Sequence, residues 1–345
     1  MRKKTTLKDI ACFSKGSQIN GDLLLDEGKY EYLNGGTKAS GTWNEFNVNG
    51  KTITISEGGN SCGYVNFMKE KFWCGAHCYY LFDVKCKPKY LYYLLKGNQT
   101  NLMKLRSGAC MPNIKKSDLG NFKFVYDNDM IHQNKIISIF DDLTNVIDFY
   151  EKQMKYLDNL VKARFIEMFG DPVLNERKFP TLSGADFFKL SNGRAVPDEK
   201  RIETGIPAYG GNGISWYTDE FLMAEDTIVV GRVGFQSGNV HYVIGPLWIT
   251  DNAMYISQYD KDKFNLRFLC ELMQHVNFSR FQDAGDLKKI TQKPFMTFKY
   301  ILPSMDLQQK FVNFKIEVDK SREEVRKSLE KTQQLYDSLM QEYFG

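Results

Sequence analysis

The chain repeats itself at an offset of 175 residues, and this repeat limits the possible folds more than any single motif does. Phe169-Gly170 near the middle recurs as Phe344-Gly345. An offset that holds across most of two halves indicates a tandem duplication, so each half should build the same scaffold. The offset drifts locally to 177, as expected where a surface loop gained two residues and lost them again. The pairs at 175 are Leu7 with Leu182, Thr52-Ile53 with Thr227-Ile228, Gly59 with Gly234, Gly63 with Gly238, Val65 with Val240, Trp73 with Trp248 and Lys135 with Lys310, and those at 177 are Gly16 with Gly193 and Tyr32 with Tyr209.

The first part of each copy combines short β-rich runs with glycine-rich turns. "KTITISEGGNSCGYVNF" in the first copy and "DTIVVGRVGFQSGNVHYV" in the second are each typical of a strand, a glycine-rich turn and a second strand. Helical stretches follow, near "YLYYLLKGNQTNLMKL" and "NLRFLCELMQHVNFSRF". These patterns predict a mixed α/β or α+β domain in each copy.

The second part of each copy is predicted to be a long helix with a heptad stripe of apolar residues, lapsing in the first copy only at Arg164. Gly170 and Pro172 should end the first helix. The second stripe is more polar in its first half, where Lys315 and Arg322 occupy stripe positions. The residues predicted to form the helix–helix contact are Phe140, Leu143, Ile147, Tyr150, Met154, Leu157 and Val161 in the first helix, and Val318, Val325, Leu329, Tyr336 and Leu339 in the second.

Two such helices, each roughly 54 Å long at 1.5 Å per residue, can bury their stripes on each other as an antiparallel coiled coil. Because each helix follows its own globular part, this pairing would place the two globules at opposite ends of a rod. The alternative is that each stripe packs only on its own domain.

Composition excludes several classes of protein. With 345 residues, 42% of them hydrophobic, the chain can form two packed domains. It contains no apolar run near the roughly 18 residues that cross a bilayer. Seven cysteines without framework spacing fit reduced thiols, so we expect a cytoplasmic protein. A net charge of +4 is mildly basic, so a polyanionic partner would have to be bound by local patches.

No catalytic or metal-binding pattern is recognisable. A phosphate-binding loop, an amino-methyltransferase motif and a nucleophile elbow are all missing from the sequence. The nearest candidate for zinc, formed by Cys62, Cys74, His77, Cys78 and Cys86, lacks paired C-x2-C spacing and is not repeated in the second copy. His132, His241 and His275 have no carboxylate or nucleophile at a recognisable spacing. We therefore predict no catalytic residue and no metal site.

Polar residues instead recur at equivalent places in both copies. Arg, Asn and Gln suit base edges, while Lys and Ser suit phosphates, so the set is typical of DNA binding. Taken singly, each could be an ordinary solvated side chain; only the recurrence favours a function. The predicted DNA-binding residues are Asn34, Lys38, Trp43, Asn60, Ser61, Arg106, Ser107, Lys115 and Lys116 in the first copy, and Arg194, Tyr209, Asn212, Trp216, Arg232, Gln236, Arg280, Lys288 and Lys289 in the second.

Over essentially its full length the chain resembles the specificity subunit of type I restriction-modification systems. The resemblance is carried by "LKDIACFSKG", by "TIVVGRVGFQSGNV" and its counterpart "TITISEGGNSCGYV", by "SGACMPNIKKSDLGNFKF" and the weaker "DAGDLKKITQKPFMTFKYILP", and by "QNKIISIFDDLTNVIDFYEKQMKYLDNLVKARFIEMFGDP". None is a short diagnostic motif, but their duplicated order is specific. Glu57 stands opposite Arg232, so the first copy cannot make an arginine contact there.

The resemblance implies two target recognition domains, at 1–130 and 172–305, and two helical spacers, at 131–171 and 306–345. It further implies a non-catalytic subunit that binds double-stranded DNA, two methyltransferase subunits and restriction subunits that translocate and cut DNA. S-adenosylmethionine, magnesium and ATP would belong to those partners. The rod would set the gap between two half-sites, since roughly 54 Å spans about 16 base pairs.

Two other classes of function stay open from the residues alone. One is a duplicated scaffold that binds protein or glycan, and the other is a duplicated enzyme with an unrecognised active site.

Overall fold

The computed structural model describes residues 2–108, 112–283, 285 and 288–345. The chain forms two compact units. The first contains residues 1–152 and 326–345, and the second contains residues 153–325. Each unit therefore includes about half of each long helix.

The described part of the first copy contains nine strands and four short helices and ends in a 40-residue helix. Its strands are β1 (Arg2–Thr6), β2 (Cys12–Lys15), β3 (Tyr30–Leu33), β4 (Gly41–Trp43), β5 (Thr52–Ser56), β6 (Val65–Met68), β7 (Phe72–Cys74), β8 (Cys78–Phe82) and β9 (Lys123–Asp127). Its helices are α1 (Leu7–Ile10), α2 (Pro88–Gly97), α3 (Gln99–Met103), α4 (Lys116–Gly120) and α5 (Met130–Phe169), with a 3-10 turn at Gly21–Leu23.

The second copy has the same plan. Its strands are β10 (Thr181–Ser183), β11 (Phe188–Asn192), β12 (Ile206–Gly210), β13 (Gly213–Thr218), β14 (Thr227–Gly231), β15 (Val240–Val243), β16 (Trp248–Ile249), β17 (Ala253–Tyr259) and β18 (Lys299–Ile301). Its helices are α6 (Leu266–Val276), α7 (Lys293–Thr297) and α8 (Met305–Phe344), with 3-10 turns at Gly184–Asp186, Asp198–Lys200 and Phe278–Phe281.

Sheet order confirms that the two copies share one scaffold. The first copy has a four-stranded antiparallel sheet in the order β2-β8-β5-β6, and the second has β11-β17-β14-β15. Each copy adds a three-stranded sheet with one parallel pair, β4-β3-β7 and β13-β12-β16. The buried strand β14, "TIVVG", is rich in β-branched residues, which pack well on a pleated surface. The predicted mixed α/β class is therefore confirmed.

Equivalent hydrogen bonds fix the alignment of the copies. Trp73 Nε1 donates to the carbonyl of Ser17 at 2.7 Å, and Trp248 Nε1 donates to that of Arg194 at 2.8 Å. The two tryptophans are 175 residues apart, whereas the residues that accept their bonds, Ser17 and Arg194, are 177 apart. The sequence predicted the same offset of 177 for the neighbouring pair Gly16 and Gly193.

The predicted pairing of Tyr32 with Tyr209 is wrong. The amide of Gly75 donates to Leu33, and the equivalent amide of Thr250 donates to Tyr209, so Leu33 corresponds to Tyr209 at an offset of 176. Tyr32 is 2% exposed, whereas Tyr209 is half-buried, so the two rings occupy different environments.

In the first unit, the end of α8 completes the core around Phe140 of α5. The Phe140 ring lies 5.1 Å from Tyr93, 5.4 Å from Tyr336 and 5.8 Å from Phe344, measured between centroids. Asn98 Nδ2 also donates to the carbonyl of Phe344 at 3.1 Å. The last turn of the second copy's helix thus packs on the globular part of the first copy.

In the second unit, the end of α5 fills the same role. Phe165 and Phe169 are fully buried, and their rings lie 5.5 and 5.7 Å from Phe311 near the start of α8. Phe169 also packs at 4.9 Å on Phe268 of α6. Beyond the lapse predicted at Arg164, the buried stripe of α5 therefore continues through Phe165 and Phe169.

These contacts confirm that α5 and α8 pair in antiparallel fashion, because the start of each helix meets the end of the other. Packing on the domain that precedes each helix also occurs, as Phe140 with Tyr93 shows. The twelve residues predicted for the helix–helix contact are all buried or half-buried. At the polar stripe positions, Lys315 lies 3.2 Å from Glu271, and Arg322 lies 3.3 Å from Asp158 of α5.

Among the described residues, no helix is both long and apolar enough to cross a lipid bilayer.

Truncating Phe140 to Ala should reduce the free energy of unfolding by about 3–5 kcal/mol, because the ring is fully buried among four aromatic side chains. Denaturant unfolding of the purified chain measures this change. The matched control is Phe149→Ala on the same helix, where the ring is 56% exposed and a change within about 0.5 kcal/mol is expected. Equal losses in the two variants would contradict the packing described.

Candidate nucleic-acid interface

The glycine-rich turn between β5 and β6 is tied by hydrogen bonds to residues 112–114, further along the chain. The amide of Gly59 donates to the carbonyl of Pro112 at 3.0 Å, and the amide of Ile114 donates to that of Glu57 at 2.8 Å. The hydroxyl of Ser61 in the same turn donates to the carbonyl of Gly35, after β3, at 2.6 Å. Three segments therefore meet, and residues 34–38, 57–63 and 106–116 are called the first loop cluster, within which residues 109–111 lie outside the described part.

The second copy repeats this arrangement. The amide of Gly234 donates to the carbonyl of Lys288 at 2.8 Å, and that of Ile290 donates to Arg232 at 3.0 Å. A Cβ atom added at Gly211, in the β12–β13 turn, would lie 3.1 Å from the Cα of Gly231, so this turn also reaches the site. Residues 210–213, 232–238 and 280–290 are called the second loop cluster, and within it residues 284, 286 and 287 lie outside the described part.

Both glycine-rich turns close on a glycine in the left-handed region. Gly63 has a φ of 87° and Gly238 a φ of 89°, and their amides donate to Ser56 and Gly231 across the base of the turn. Residues that have a Cβ atom are strained in the left-handed region, whereas glycine is not. A Cβ at Gly238 would also lie 2.7 Å from the amide nitrogen of Ser279. Both the backbone conformation and this close approach therefore require glycine at position 238.

Most of the residues predicted to bind DNA lie in these two clusters. In the first, Asn34 and Ser61 are half-buried and make internal hydrogen bonds, Asn34 Oδ1 accepting from the amide of His77 at 3.2 Å. The exposed members are Lys38, Asn60, Arg106, Ser107, Lys115 and Lys116. In the second, Arg232, Gln236 and Lys288 are half-buried, and Asn212, Arg280 and Lys289 are exposed.

Four predicted residues lie outside the clusters. Trp43 pairs with Tyr30 at the end of β3 remote from Gly35. Trp216 pairs with Ala208 of β12 and stacks under the guanidinium of Arg201 at 4.1 Å. The other two are Arg194, exposed just after β11, and Tyr209, half-buried near the end of β12.

The charge at the base of the turn differs between the copies. Glu57 pairs with Lys15 and lies 3.5 Å from His77 Nδ1, whereas the equivalent Arg232 donates to the carbonyl of Asp251 at 3.3 Å. The exchange of Glu57 for Arg232 is visible in the sequence, but the proximity of Lys15 and His77 to Glu57 is not, because it depends on the pairing of β2 with β8.

Within the described part of the chain, every cysteine except Cys12 is buried. Burial raises the pKa of the Cys62 thiol and raises that of Cys86 to about 12, so both stay protonated near neutral pH. Burial also lowers the pKa of the His241 and His275 imidazoles. His132, at the start of α5, has a carboxylate partner that no recognisable spacing predicted: its Nδ1 lies 2.9 Å from Asp127 at the end of β9.

The chain matches the family model of the type I restriction modification DNA specificity domain twice, over residues 2–158 and 179–331. It is 27% identical to a protein named as a type I specificity subunit of Mycoplasma genitalium, with 99% of this chain and 93% of the relative covered. A similarly named protein of Mycoplasma pneumoniae is 28% identical, with 99% and 95% covered.

The crystal structure of a type I restriction-modification S subunit from M. genitalium has the same fold, with a TM-score of 0.73, 22% identity, and 100% of this chain and 96% of that chain covered. Since the family model spans most of both copies, this chain belongs to the type I restriction-modification DNA specificity family.

Replacing Gly238 with Ala should destabilise the second unit more than replacing Gly234 does. Both residues have a φ near 90°, so each substitution carries backbone strain of about 1–3 kcal/mol. Only at Gly238 does the new Cβ meet another backbone segment, while Gly234 has open space, so we expect a further loss of about 1 kcal/mol or more there. Denaturant unfolding compares the two variants, and a Gly234→Ala loss as large as that of Gly238→Ala would contradict the close approach to Ser279.

Proposed function

We propose that this chain is the DNA-sequence-recognition subunit of a type I restriction-modification complex. Each recognition domain reads one half of a bipartite, asymmetric DNA target through its loop cluster. The observation that carries this proposal is the repetition of one backbone hydrogen-bond pattern with different side chains, such as Glu57 in one copy and Arg232 in the other. The same backbone geometry with different side chains suits two domains that read different base sequences.

The chemistry of the clusters supports direct and electrostatic contacts with DNA. Arg232 and Gln236 offer donors and acceptors for base edges, and Lys288 and Lys289 offer charges for phosphates. In the first cluster, Asn60 suits a base edge, while Lys115 and Lys116 suit phosphates. In this proposal the subunit is non-catalytic and cytoplasmic, and the S-adenosylmethionine, Mg²⁺ and ATP of the reaction are bound by partner subunits.

The partners are two methyltransferase subunits, together with restriction subunits. Exposed apolar side chains on α5 support a docking role for this helix: Phe149 is 56% exposed, Tyr156 71% and Leu160 47%. At the offset of 175, the equivalent residues on α8 are Glu324, Lys331 and Leu335, so two of the three apolar positions of α5 are charged on α8. Large apolar side chains left in water on a helix suit burial against a partner protein.

Substitutions in the second loop cluster should alter binding to only one half of the target. In the complex with methyltransferase subunits, Arg232→Ala should weaken discrimination in that half-site by about 1–3 kcal/mol. Lys289→Ala should weaken binding by a similar amount whatever the base sequence of that half-site, and should reduce the slope of log affinity against log salt by about 1. Fluorescence anisotropy over a salt series, together with mapping of methylated bases, measures both effects.

The matched control is Lys261→Ala in the same unit, because Lys261 follows the end of β17 remote from the cluster and pairs with Glu225. Binding of the wild-type complex that is independent of salt would contradict DNA recognition and favour a scaffold for other ligands. Methylation or cleavage of DNA by the isolated chain, supplied with Mg²⁺ and a methyl donor, would instead identify an enzyme.

The paired helices are proposed to set the gap between the two half-sites. Inserting one heptad into both helices, after Lys152 in α5 and after Val325 in α8, adds about 10 Å. The gap should therefore lengthen by about three base pairs while the half-site sequences stay the same. Methylation mapping provides the measurement, and the control is a seven-residue insertion at exposed Glu176, in the loop after α5. An unchanged gap in the helix variant would contradict this role.

A further inference from the structure

Phe235 lies in the second glycine-rich turn with its ring in solvent. It is 87% exposed, the highest value among the large hydrophobic residues of the described chain. Single exposed hydrophobic residues are common on protein surfaces and need no function by themselves. The backbone and the charges around Phe235 distinguish it from such residues.

The backbone on both sides of Phe235 is held in place. The amide of Gly234 donates to the carbonyl of Lys288 at 2.8 Å, and Gln282 Nε2 donates to the carbonyl of Phe235 itself at 3.3 Å. The amide of Ser237 donates back to the carbonyl of Gly234 at 3.0 Å. The ring therefore projects from a closed turn, and little backbone entropy is left to lose when it contacts a ligand.

Cationic residues lie on the segments that meet at the base of this turn. Arg232 begins the turn, and Val233 forms an isolated β-bridge with Lys289, next to Lys288. Arg280, with its guanidinium 4.8 Å from the ring centroid of Phe281, belongs to the segment that also supplies Gln282. An apolar tip above a cationic base complements a nucleic acid, in which stacked bases lie between two rows of phosphates.

We propose that Phe235 inserts its ring between adjacent base pairs of the second half-site and stacks on a base there. This inference rests on the proposed function and deepens it, because it assigns one contact to one half-site. Apolar side chains that enter a duplex in this way partly unstack a base step and kink the DNA. Specificity then also depends on how easily the sequence at that step deforms.

The first domain lacks this ring. Asn60 occupies the equivalent position, one residue after Gly59 as Phe235 is one residue after Gly234. Asn60 is exposed and can form hydrogen bonds with a base edge, but it has no aromatic face to stack. Insertion should therefore occur in one half-site only, and the two domains would recognise DNA by different physical means.

The test uses the complex with methyltransferase subunits, its mapped target duplex and no methyl donor. A single 2-aminopurine is placed in turn at each adenine of both half-sites and at one base adjoining each base-pair step of those half-sites. The fluorescence of 2-aminopurine rises when the base is unstacked. The wild-type complex should show a signal at one step of the second half-site that Phe235→Ala abolishes. Phe235→Ala should also weaken binding by about 10-fold to 100-fold, the usual range for one lost base-stacking contact.

Phe235→Trp should keep both the signal and the affinity, because indole can stack in place of phenyl. Ile244→Ala is the matched control: Ile244 is 65% exposed and follows the end of β15 remote from the turn, so neither readout should change. Asn60→Ala should leave the signal of the second half-site intact.

Two results would overturn the proposal that Phe235 inserts between base pairs. One is a Phe235→Ala complex that binds with wild-type affinity, and the other is a Phe235→Ala complex that binds weakly but gives an unchanged 2-aminopurine profile. In both cases salt-dependent binding of the wild-type complex would still stand, so the proposed function would survive. A wild-type complex that binds no duplex would overturn both proposals together.

Discussion

The fold depends on the antiparallel pairing of α5 and α8, because each compact unit needs a helix from the other copy to close its core. Phe344 ends the second copy and packs on Phe140 and Tyr90 of the first unit. Phe169 ends the helix of the first copy and packs on Phe268 and Phe311 of the second. Neither recognition domain is therefore a self-sufficient globule with a helix appended to it. Since buried aromatic rings contribute strongly to stability, exchanging helix ends couples the stability of both units to one helix pair.

The loop clusters show how one scaffold can carry two recognition surfaces. Backbone hydrogen bonds at Gly59 and Gly234, and at Ile114 and Ile290, hold equivalent segments together without involving side chains. Side chains that take no part in holding the segments together, such as that of Phe235, are then free to differ between the copies. The turn therefore keeps its backbone although Glu57 of the first copy is replaced by Arg232 in the second, and Asn60 by Phe235.

Much of this architecture follows from the sequence, and the exceptions have physical causes. The duplication, the two long helices and the apolar stripes are periodic signals, and the structure contains all three. The burial of Phe165 and Phe169 was not predicted, because these residues lie off the heptad positions and face the core of the second unit. Matching residue types misaligned Tyr32 with Tyr209, since only hydrogen bonds identify equivalent backbone positions.

The predicted site residues Trp43 and Trp216 lie away from the clusters, because strand register rather than sequence proximity decides which side chains meet. Exposure of Phe235 has no sequence signal, since a phenylalanine between two strands is usually buried.

The split composition of the first unit has a consequence for how the protein is made. Asn98 bonds to the carbonyl of Phe344, 246 positions away in the chain, whereas the second unit is one continuous stretch from Gln153 to Val325. Domains usually fold in the order in which the ribosome produces them. Here the core around Phe140 must wait for residues 326–345, while the continuous unit has all its residues before they are synthesised. The half of the protein that is translated first is therefore the half that is completed last.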